Sequence, residues 1–371
     1  MSFRGSGEPS PAEKNKAFLK IFEGQRVEGF IRNARVVPHS IVSGKETLPS
    51  FISSGDATNS YVCSLLSSFV GYPREELGLI KNPSVRIILK ALCKPLELYL
   101  QAFRLDKHLS INNWLVSTNI PPHLTPESVR RLTDQAIPQF PSHLFAFRSV
   151  NLKTHPQLGD AFRQSGWVLV PARRVYLFEK GEAPWKKKSL VKRERKKLNS
   201  HGWVKVGPEA LSSRDLSTIL GHYNNLFLEK HSQFNPQLTL RYLTLLSQSG
   251  IIEFHALRKL GTGKLLGSFG VFTMHSIMSI PIIGYDPQEN AKDGIYRLLV
   301  ARILELAEER NQTLNLSSGA GEFKSLRGGK PVLEYTAFYI DHLSYIRRIG
   351  LRGFTKLVHC FGTGILEKNE I

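Results

Sequence analysis

The sequence predicts an α/β (α+β) protein made of two similar lobes, each a mixed, mostly antiparallel sheet flanked by helices. Three observations carry this. Alternating apolar and polar runs, the mark of half-buried strands, recur between helix-period segments in both halves of the 371-residue chain. The order of those segments repeats. A block of positive charge, Lys186–Lys197 (KKKSLVKRERKK), lies between the two copies with eight basic residues against one acid.

The second half sets the pattern. DLSTILGHYNNLFLEKH (215–231) places Leu216, Ile219, Leu220, Tyr223 and Phe227 on one helical face, and Thr239–Ser249 predicts another helix. IIEFHALRKL (251–260) alternates at period two and leads into the turn Gly261-Thr262-Gly263-Lys264. LLGSFGVFTMHS and IMSIPIIGYDP predict two more strands. Asp293–Asn311 predicts a long helix with Ile295, Leu299, Ile303 and Leu306 on its apolar face. TLNLSS follows as a strand, Glu322–Arg327 as one or two helical turns, and VLEYTAFYI (332–340) as a closing strand.

The first half repeats the tail of that order. INNWLVSTN (111–119) predicts a strand, and TPESVRRLTDQAI a helix capped by Thr125 with Pro126 in its first turn. HLFAFRSV is a strand, HPQLGDAFRQSG a short helix ending at glycine, and WVLVPARRVYLFE a closing strand. Residues 73–103 are helix-rich, with Ile87, Leu92 and Leu96 expected in the core. The expected boundaries are a polar leader at 1–25, an N-terminal lobe at 26–180, a C-terminal lobe at 181–345 and a basic amphipathic tail at 346–371.

Composition narrows the function classes. No apolar run approaches 18 residues, so no spanning helix is expected. The N-terminus MSFRGSGEPSPAEKNK has no apolar stretch of the kind that directs secretion. Cys63, Cys93 and Cys360 stand far apart, without the paired spacing of a zinc or redox site, and fit a cytoplasmic protein. No HExxH or CxxC cluster argues for a metal, and no GxxxxGK[ST] loop argues for nucleotide hydrolysis. The net charge of +19 bears on partners: nucleic acid, a phosphorylated cofactor, an acidic carrier protein or anionic lipid. In the block, Val191 and Leu198 stand seven apart and predict a short helix with one apolar edge and a cationic face. The tail 342–366 mixes Leu343, Ile346, Phe354, Leu357 and Phe361 with Arg347, Arg348, Arg352 and Lys356. That pattern fits packing on the C-terminal lobe, a partner helix or contact with an anionic membrane.

The glycine-rich stretch SSGAGEFKSLRGGKP (317–331) follows a strand. Gly319 and Gly321 permit positive φ, so successive amides there could form an anion nest. Lys324 and Arg327 are three apart and share a helical face, which makes them candidate anion ligands. The alternative is a connector with solvated charges.

The basic helix KSLVKRERKKLNSHGWVKV, the helix ending LFLEKHSQF, the strands GKLLGSFGVF and SIPIIGYDP, and LNLSSGAGEFKSLRGGKP together resemble the FemAB/FemX-type branch of the GNAT acyltransferase superfamily. The resemblance covers residues 181–341. It implies two GNAT-like lobes in one chain, the N-terminal one a degenerate copy, and transfer of an acyl or aminoacyl group from an activated carrier to an amine. The donor it implies is acyl-CoA or a phosphopantetheinyl carrier. Acyl-CoA enzymes of the superfamily open the long helix with an Arg/Gln-x-x-Gly-x-Gly/Ala loop, where helix-start amides hold the pyrophosphate. This chain has Ala291-Lys292-Asp293-Gly294-Ile295-Tyr296, so only one glycine matches. Lys292, Gly294 and Arg297 are the candidate donor contacts there.

By the same resemblance, a backbone amide around Ile283–Tyr285 would meet the oxyanion, with Pro281 interrupting the ladder upstream. Tyr285 and Asp286 are candidates for orienting substrate, with Ser268 a further contact. Glu322, His231 and Tyr335 are candidate acid–base residues. Asp286 could equally be a turn residue before Pro287, and His231 a dipole partner at a helix end. Two other readings stay open: aminoacyl transfer from tRNA, which the basic block would serve directly, and a non-catalytic nucleic-acid-binding protein on the same scaffold.

Overall fold

A three-stranded antiparallel meander, a crossover helix and a parallel strand form twice along the chain. The computed structural model describes residues 9–44, 46–80, 82–181, 184–200 and 202–364. In the first pass α1 (Pro11–Ile21) precedes the hairpin β1 (Val37–Ser43) and β2 (Glu46–Ser54). Then come α2 (Tyr72–Glu76), α3 (Pro83–Ala102), β3 (Lys107–Ile111), α4 (Pro126–Gln139), β4 (Leu144–Asn151), α5 (Pro156–Gln164) and β5 (Val168–Phe178). The second pass runs α6 (Ser189–Leu198), β6 (Trp203–Val206), α7 (Ser213–Asn224), α8 (Leu240–Gln248), β7 (Glu253–Lys259), β8 (Leu265–Met274) and β9 (Ile277–Tyr285). It closes with α9 (Pro287–Asp293), α10 (Ile295–Glu309), β10 (Thr313–Asn315), α11 (Gly321–Leu326), β11 (Lys330–Tyr339) and α12 (Tyr345–Leu357).

Two units result, and neither is a contiguous segment. The first holds Val175–His231 and Leu238–Pro331 with residues 9–14; the second holds Asn15–Arg174, Ser232–Gln237 and residues 332–364. In the first, β6 to β9 pair antiparallel in sequence, β10 joins β9 in parallel, and the end of β5 covers β10 antiparallel. In the second, β1, β2 and β3 form the meander, β4 joins β3 in parallel, and β11 covers β4 antiparallel. β5 is divided between the units, with Val168–Arg174 in the second and Val175–Phe178 in the first, and β11 passes from the first into the second at Val332. A parallel pair leaves its outer edge open, and an antiparallel strand satisfies it.

The first core packs Leu299, Ile303 and Leu306 of α10 on Phe269, Met278 and Ile283 of the sheet. The second unit packs both faces: Val129, Leu132 and Phe162 against Phe145 and Phe147 on one, and Leu100, Leu351 and Phe354 against Leu144 and Phe338 on the other.

Several expectations change. The leader 1–25 contains α1, whose Phe18 is buried against Phe51 and Trp114; residues 1–8 lie outside the described part. The strand expected at 111–119 instead ends at Ile111. Beyond it, Asn112 and Leu115 take left-handed conformations, and the side-chain oxygens of Asn113 and Asn119 accept from the amides of Leu115 and Trp114, each at 2.9 Å. Local side-chain bonds of this kind take the backbone out of a ladder. The β1–β2 hairpin was hidden by Pro38 and Pro49, which argue against strands. Ile87 and Leu92 are not core, being 67% and 55% exposed. The tail divides: Leu343 and Phe354 are buried in the second unit, Ile346 and Leu357 are exposed, and the Phe361 side chain lies outside the described part.

Candidate active-site groove

Within the first unit α6, the start of α10 and α11 enclose a groove. Its larger cavity, about 360 Å³, is lined by Leu190, Arg193, Glu194, Arg297, Glu322, Phe323, Leu326 and Arg327. An adjoining cavity of about 140 Å³ shares Arg193, Glu194 and Arg297 and adds Lys197, Asp293, Gly294 and Leu298. The basic block thus forms one wall. Its helix buries Val191, Leu198 and its single acid, Glu194. Arg195 and Lys186 pair with Glu308 at 2.6 and 3.1 Å, and Lys197 Nζ donates to the Asp293 carbonyl at 2.6 Å. Arg193 and Arg297 are exposed, and among the described residues neither forms an ion pair.

The loop after β10 does not form an anion nest. Ser317, Gly319 and Ala320 take positive φ, but the chain turns carbonyls inward. Lys324 is buried, and its Nζ donates to the carbonyls of Leu316, Ser317 and Ser318 at 2.7, 3.2 and 2.8 Å. Arg327 is also buried. Its Nε and Nη2 form a bidentate pair with Glu194, Nη1 donates to the Phe323 carbonyl at 2.7 Å, and the guanidinium stacks 3.3 Å above the Phe323 ring. The anion-ligand expectation for Lys324 and Arg327 is therefore corrected. One ammonium braces the loop and the guanidinium ties α11 to α6. A residue missed in the sequence, Tyr176, explains Gly321: a Cβ there would lie 2.0 Å from the Tyr176 hydroxyl.

The start of α10 shows how an anion would be met. Gly294, at φ 70°, ends α9 and begins α10 without a side-chain cap. Two amides at this helix start have internal partners: Tyr296 N donates to Asn290 Oδ1 at 2.8 Å, and Arg297 N to the Gly294 carbonyl at 2.9 Å. What remains at this end is the helix dipole and the side chains of Arg193, Arg297 and Lys197. Lys292 is exposed on α9 and does not line the groove.

Strand geometry supplies the other half of the site. β10 pairs with β9 only from Thr313↔Ile277 to Asn315↔Ser279; β9 then runs on to Tyr285 with no strand on that side among the described residues. A bulge between Gly270 and Phe272 on β8 accommodates Ile280 and Pro281, at the point where the strands part. The opening begins at Ser279, four residues before the expected position. Tyr285 ends β9, and its ring stands 5.9 Å from Tyr296, which is 5.0 Å from Phe323 in the groove. An aromatic row therefore joins the groove to the end of β9.

The remaining candidates separate. Glu322 is exposed at the lip of the larger cavity. Asp286 is the cap of α9, accepting from the amides of Gln288 and Glu289 at 2.9 and 3.3 Å and pairing with Lys264 at 2.8 Å. Burial opposes its charge, yet the Lys264 ammonium and those amides hold its carboxyl below the ordinary value. Its expected substrate contact is thus taken by structure. Ser268 is fully buried beside Gly284, on the face of β8 opposite Gly267, the residue that meets α10. It therefore faces away from the groove. His231 follows a π turn at Asn225–Glu229, is exposed, and lines neither cavity. His222, absent from the candidates drawn from the sequence, is the histidine packed on β9, where a Cβ at Gly284 would meet its backbone at 2.6 Å. Burial lowers its pKa. Its position beside Tyr223 on the helical face was the available signal. Tyr335 belongs to the second unit, where it packs on the Phe147 side of that core. Among the described residues no group of His, Cys, Asp and Glu is placed to hold a metal, and no helix is long and apolar enough to cross a membrane.

No family model matches the chain, and no curated protein does. Solved structures do. L-PGS from Bacillus licheniformis is similar over 95% of this chain and 99% of that one, with TM-score 0.50 and 12% identity. FemX is similar over 63% and 81%, with TM-score 0.46 and 7% identity. A GCN5-related N-acetyltransferase from Kribbella flavida is similar over 64% and 82%, with TM-score 0.35 and 11% identity. The fold is a mixed α/β one, shared with L-PGS over nearly the whole length of both chains.

Proposed function

We propose that this protein transfers an aminoacyl group from tRNA to an amine acceptor, with the first unit holding the donor. One observation carries the reading. The groove offers an anion the arginine and lysine side chains of α6 and α10, while two of the helix-start amides, those of Tyr296 and Arg297, are bonded internally. Side-chain cations spread along a wall suit a phosphodiester backbone. In the step, the acceptor nitrogen attacks the ester carbonyl; the C–N bond forms, the ester C–O bond breaks, and the amine proton passes to the departing ribose oxygen. A β9 amide released past Ser279 would stabilise the oxyanion, and Glu322 would relay the proton.

A thioester donor on coenzyme A or a phosphopantetheinyl carrier is the second reading. The Phe323–Tyr296–Tyr285 row favours it, because it offers an apolar side to a long arm. A non-catalytic RNA-binding protein is the third. Mass spectrometry of acceptor amines incubated with aminoacyl-tRNA, acyl-CoA or acyl-carrier protein decides among them. The expected result is transfer from aminoacyl-tRNA alone, with Glu322→Gln lowering turnover by about 10²-fold or more. Transfer from thioesters only would overturn the donor. RNA binding with no transfer from any donor would overturn catalysis.

A further inference from the structure

We propose that the face built by α3 and α12 in the second unit docks on an anionic membrane surface. α3 is a 20-residue helix whose one buried residue is Leu100. It presents Ile87, Ile88 and Leu92 to solvent, and α12 presents Tyr345, Ile346 (74% exposed) and Ile349. These side chains stand on a firm base. The Tyr99 hydroxyl donates to the Gly350 carbonyl at 2.8 Å, and a Cβ at Gly350 would lie 2.1 Å from the Phe103 ring. Buried Arg347 donates to the carbonyls of Phe103, Ser142, Arg104 and Lys107, fixing α12 against the end of α3. These contacts hold α12, and with it Tyr345, Ile346 and Ile349, against the C-terminal end of α3.

Charge identifies the occupant. Arg86 and Lys90 of α3 and Lys356 of α12 are exposed cations and Arg348 is partly exposed, while Lys94 and Arg352 pair with Glu97 and Asp341 at 3.3 and 2.6 Å. The acid on α3, Glu97, is engaged by Arg74 and Lys94 at 3.1 and 3.3 Å, and α12 carries none. Apolar side chains among cations match a headgroup layer of negative lipids, where each part lowers free energy separately. A second copy docking this face on itself would set like charges against each other. Neither helix can cross a bilayer, so the contact lies on the surface. This inference does not rest on the transferase reading.

The test is co-sedimentation of the full chain with vesicles of phosphatidylcholine alone or containing phosphatidylglycerol, over a salt series. The variants are Ile88→Ser/Ile346→Ser/Ile349→Ser and Lys90→Gln/Lys94→Gln/Lys356→Gln, checked for unchanged melting. Binding should need phosphatidylglycerol and fall with salt, and either variant should weaken it by about tenfold or more. Arg193→Ala/Arg297→Ala should bind vesicles as the unaltered chain does, which separates this face from the groove. Failure to sediment, equal binding to phosphatidylcholine alone, or full binding by the variants would overturn the proposal. So would a dimer, seen by analytical ultracentrifugation, that the isoleucine variant breaks.

Discussion

In the first unit β9 and β10 run parallel over three residue pairs before parting; in the second, β3 and β4 do so over four, from His108↔Leu144 to Ile111↔Phe147. Beyond the parting the two units diverge. In the second unit the connection folds back on the opening: Trp114, Leu115, Ile120 and Leu124 are buried, and Thr125 caps α4 with its side chain. In the first unit the crossover arrives through Gly294 without such a cap, beside Arg193, Arg297 and Lys197. Past the parting the first unit has an open, charged cleft and the second a run of buried side chains. Substitutions of the exposed groove cations Arg193 and Arg297 should therefore change binding, and substitutions at the buried connection of the second unit should change stability.

The largest expected effect is on the buried ion pairs, and it tests whether the groove is as rigid as its neighbours. Arg327 and Glu194 are almost fully buried, and either Arg327→Met or Glu194→Gln leaves the other partner stranded at a cost of about 3–5 kcal/mol. The double variant Glu194→Met/Arg327→Leu should recover most of that loss in a chemical melt. The second unit has its own pair, Arg173–Glu334, but Arg173 also donates to Thr118 at 3.0 Å and is partly exposed. Glu334→Gln should cost less. Equal losses in the two units would break the distinction.

Next in size is donor binding. Arg193→Ala/Arg297→Ala should weaken tRNA binding by one to two decades and lower the salt slope by about 1–2, since each lost phosphate contact releases one fewer counterion. Melting should stay near that of the unaltered chain, because both side chains are exposed. An unchanged slope would return α6 to the role of a solvated helix.

Much of this was legible in the sequence, and what was not has local causes. A period-two run gave β7, and two apolar runs after the turn gave β8 and β9, almost to the residue; β8 is buried along its whole length, so its apolar character and not alternation marked it. The division of β5 and β11 between the units was not legible: neither strand carries a mark of which strand it will cover. Glu194 read as a lone acid in a solvated block. Burial of Val191 and Leu198 on the same face was the signal that it would turn inward. The opposite error fell on Lys324 and Arg327, where spacing showed a shared face but could not show that carbonyls and a carboxylate occupy it. Spacing fixes which side chains point together, not whether they meet solvent.

A smaller effect compares two glycines. Gly321 opens α11, and Gly159 lies in the corresponding short helix α5. Gly321→Ala would drive its Cβ into the Tyr176 hydroxyl and ring, and overpacking of this kind costs about 1–3 kcal/mol. Gly159→Ala would meet the end of the Leu152 side chain at 2.5 Å, which can rotate aside. Tyr176→Phe should recover part of the first loss. If Gly159→Ala proved the costlier in a chemical melt, the loop after β10 would be the more yielding of the two.

The smallest effect is in the pH dependence of the second unit, where two buried neighbours act with opposite sign. Burial pushes His108 down to about 3, so its neutral form is the native one. The stability it contributes is full above the unfolded value near 6.5 and is lost as pH falls toward 3. Asp106, whose carboxylate accepts from Ser64 Oγ and from the Leu66 amide at 3.0 Å, is pushed up by burial to about 6. A raised carboxyl favours the protonated native state, so this group adds stability as pH falls from 6 toward its unfolded value of 3.8. Between those limits the two largely offset. Asp106→Asn should uncover the histidine, giving stability that declines from about pH 6.5 downward in urea melts. His108→Gln should do the reverse and leave a gain on mild acidification. In the first unit burial raises Asp215 and Asp286, but the Ser212 amide and hydroxyl with Arg258 hold the first low and Lys264 the second, so their contribution is lost only at lower pH. If the two variants showed the same pH profile, the buried pair would not be the source of the second unit's acid response.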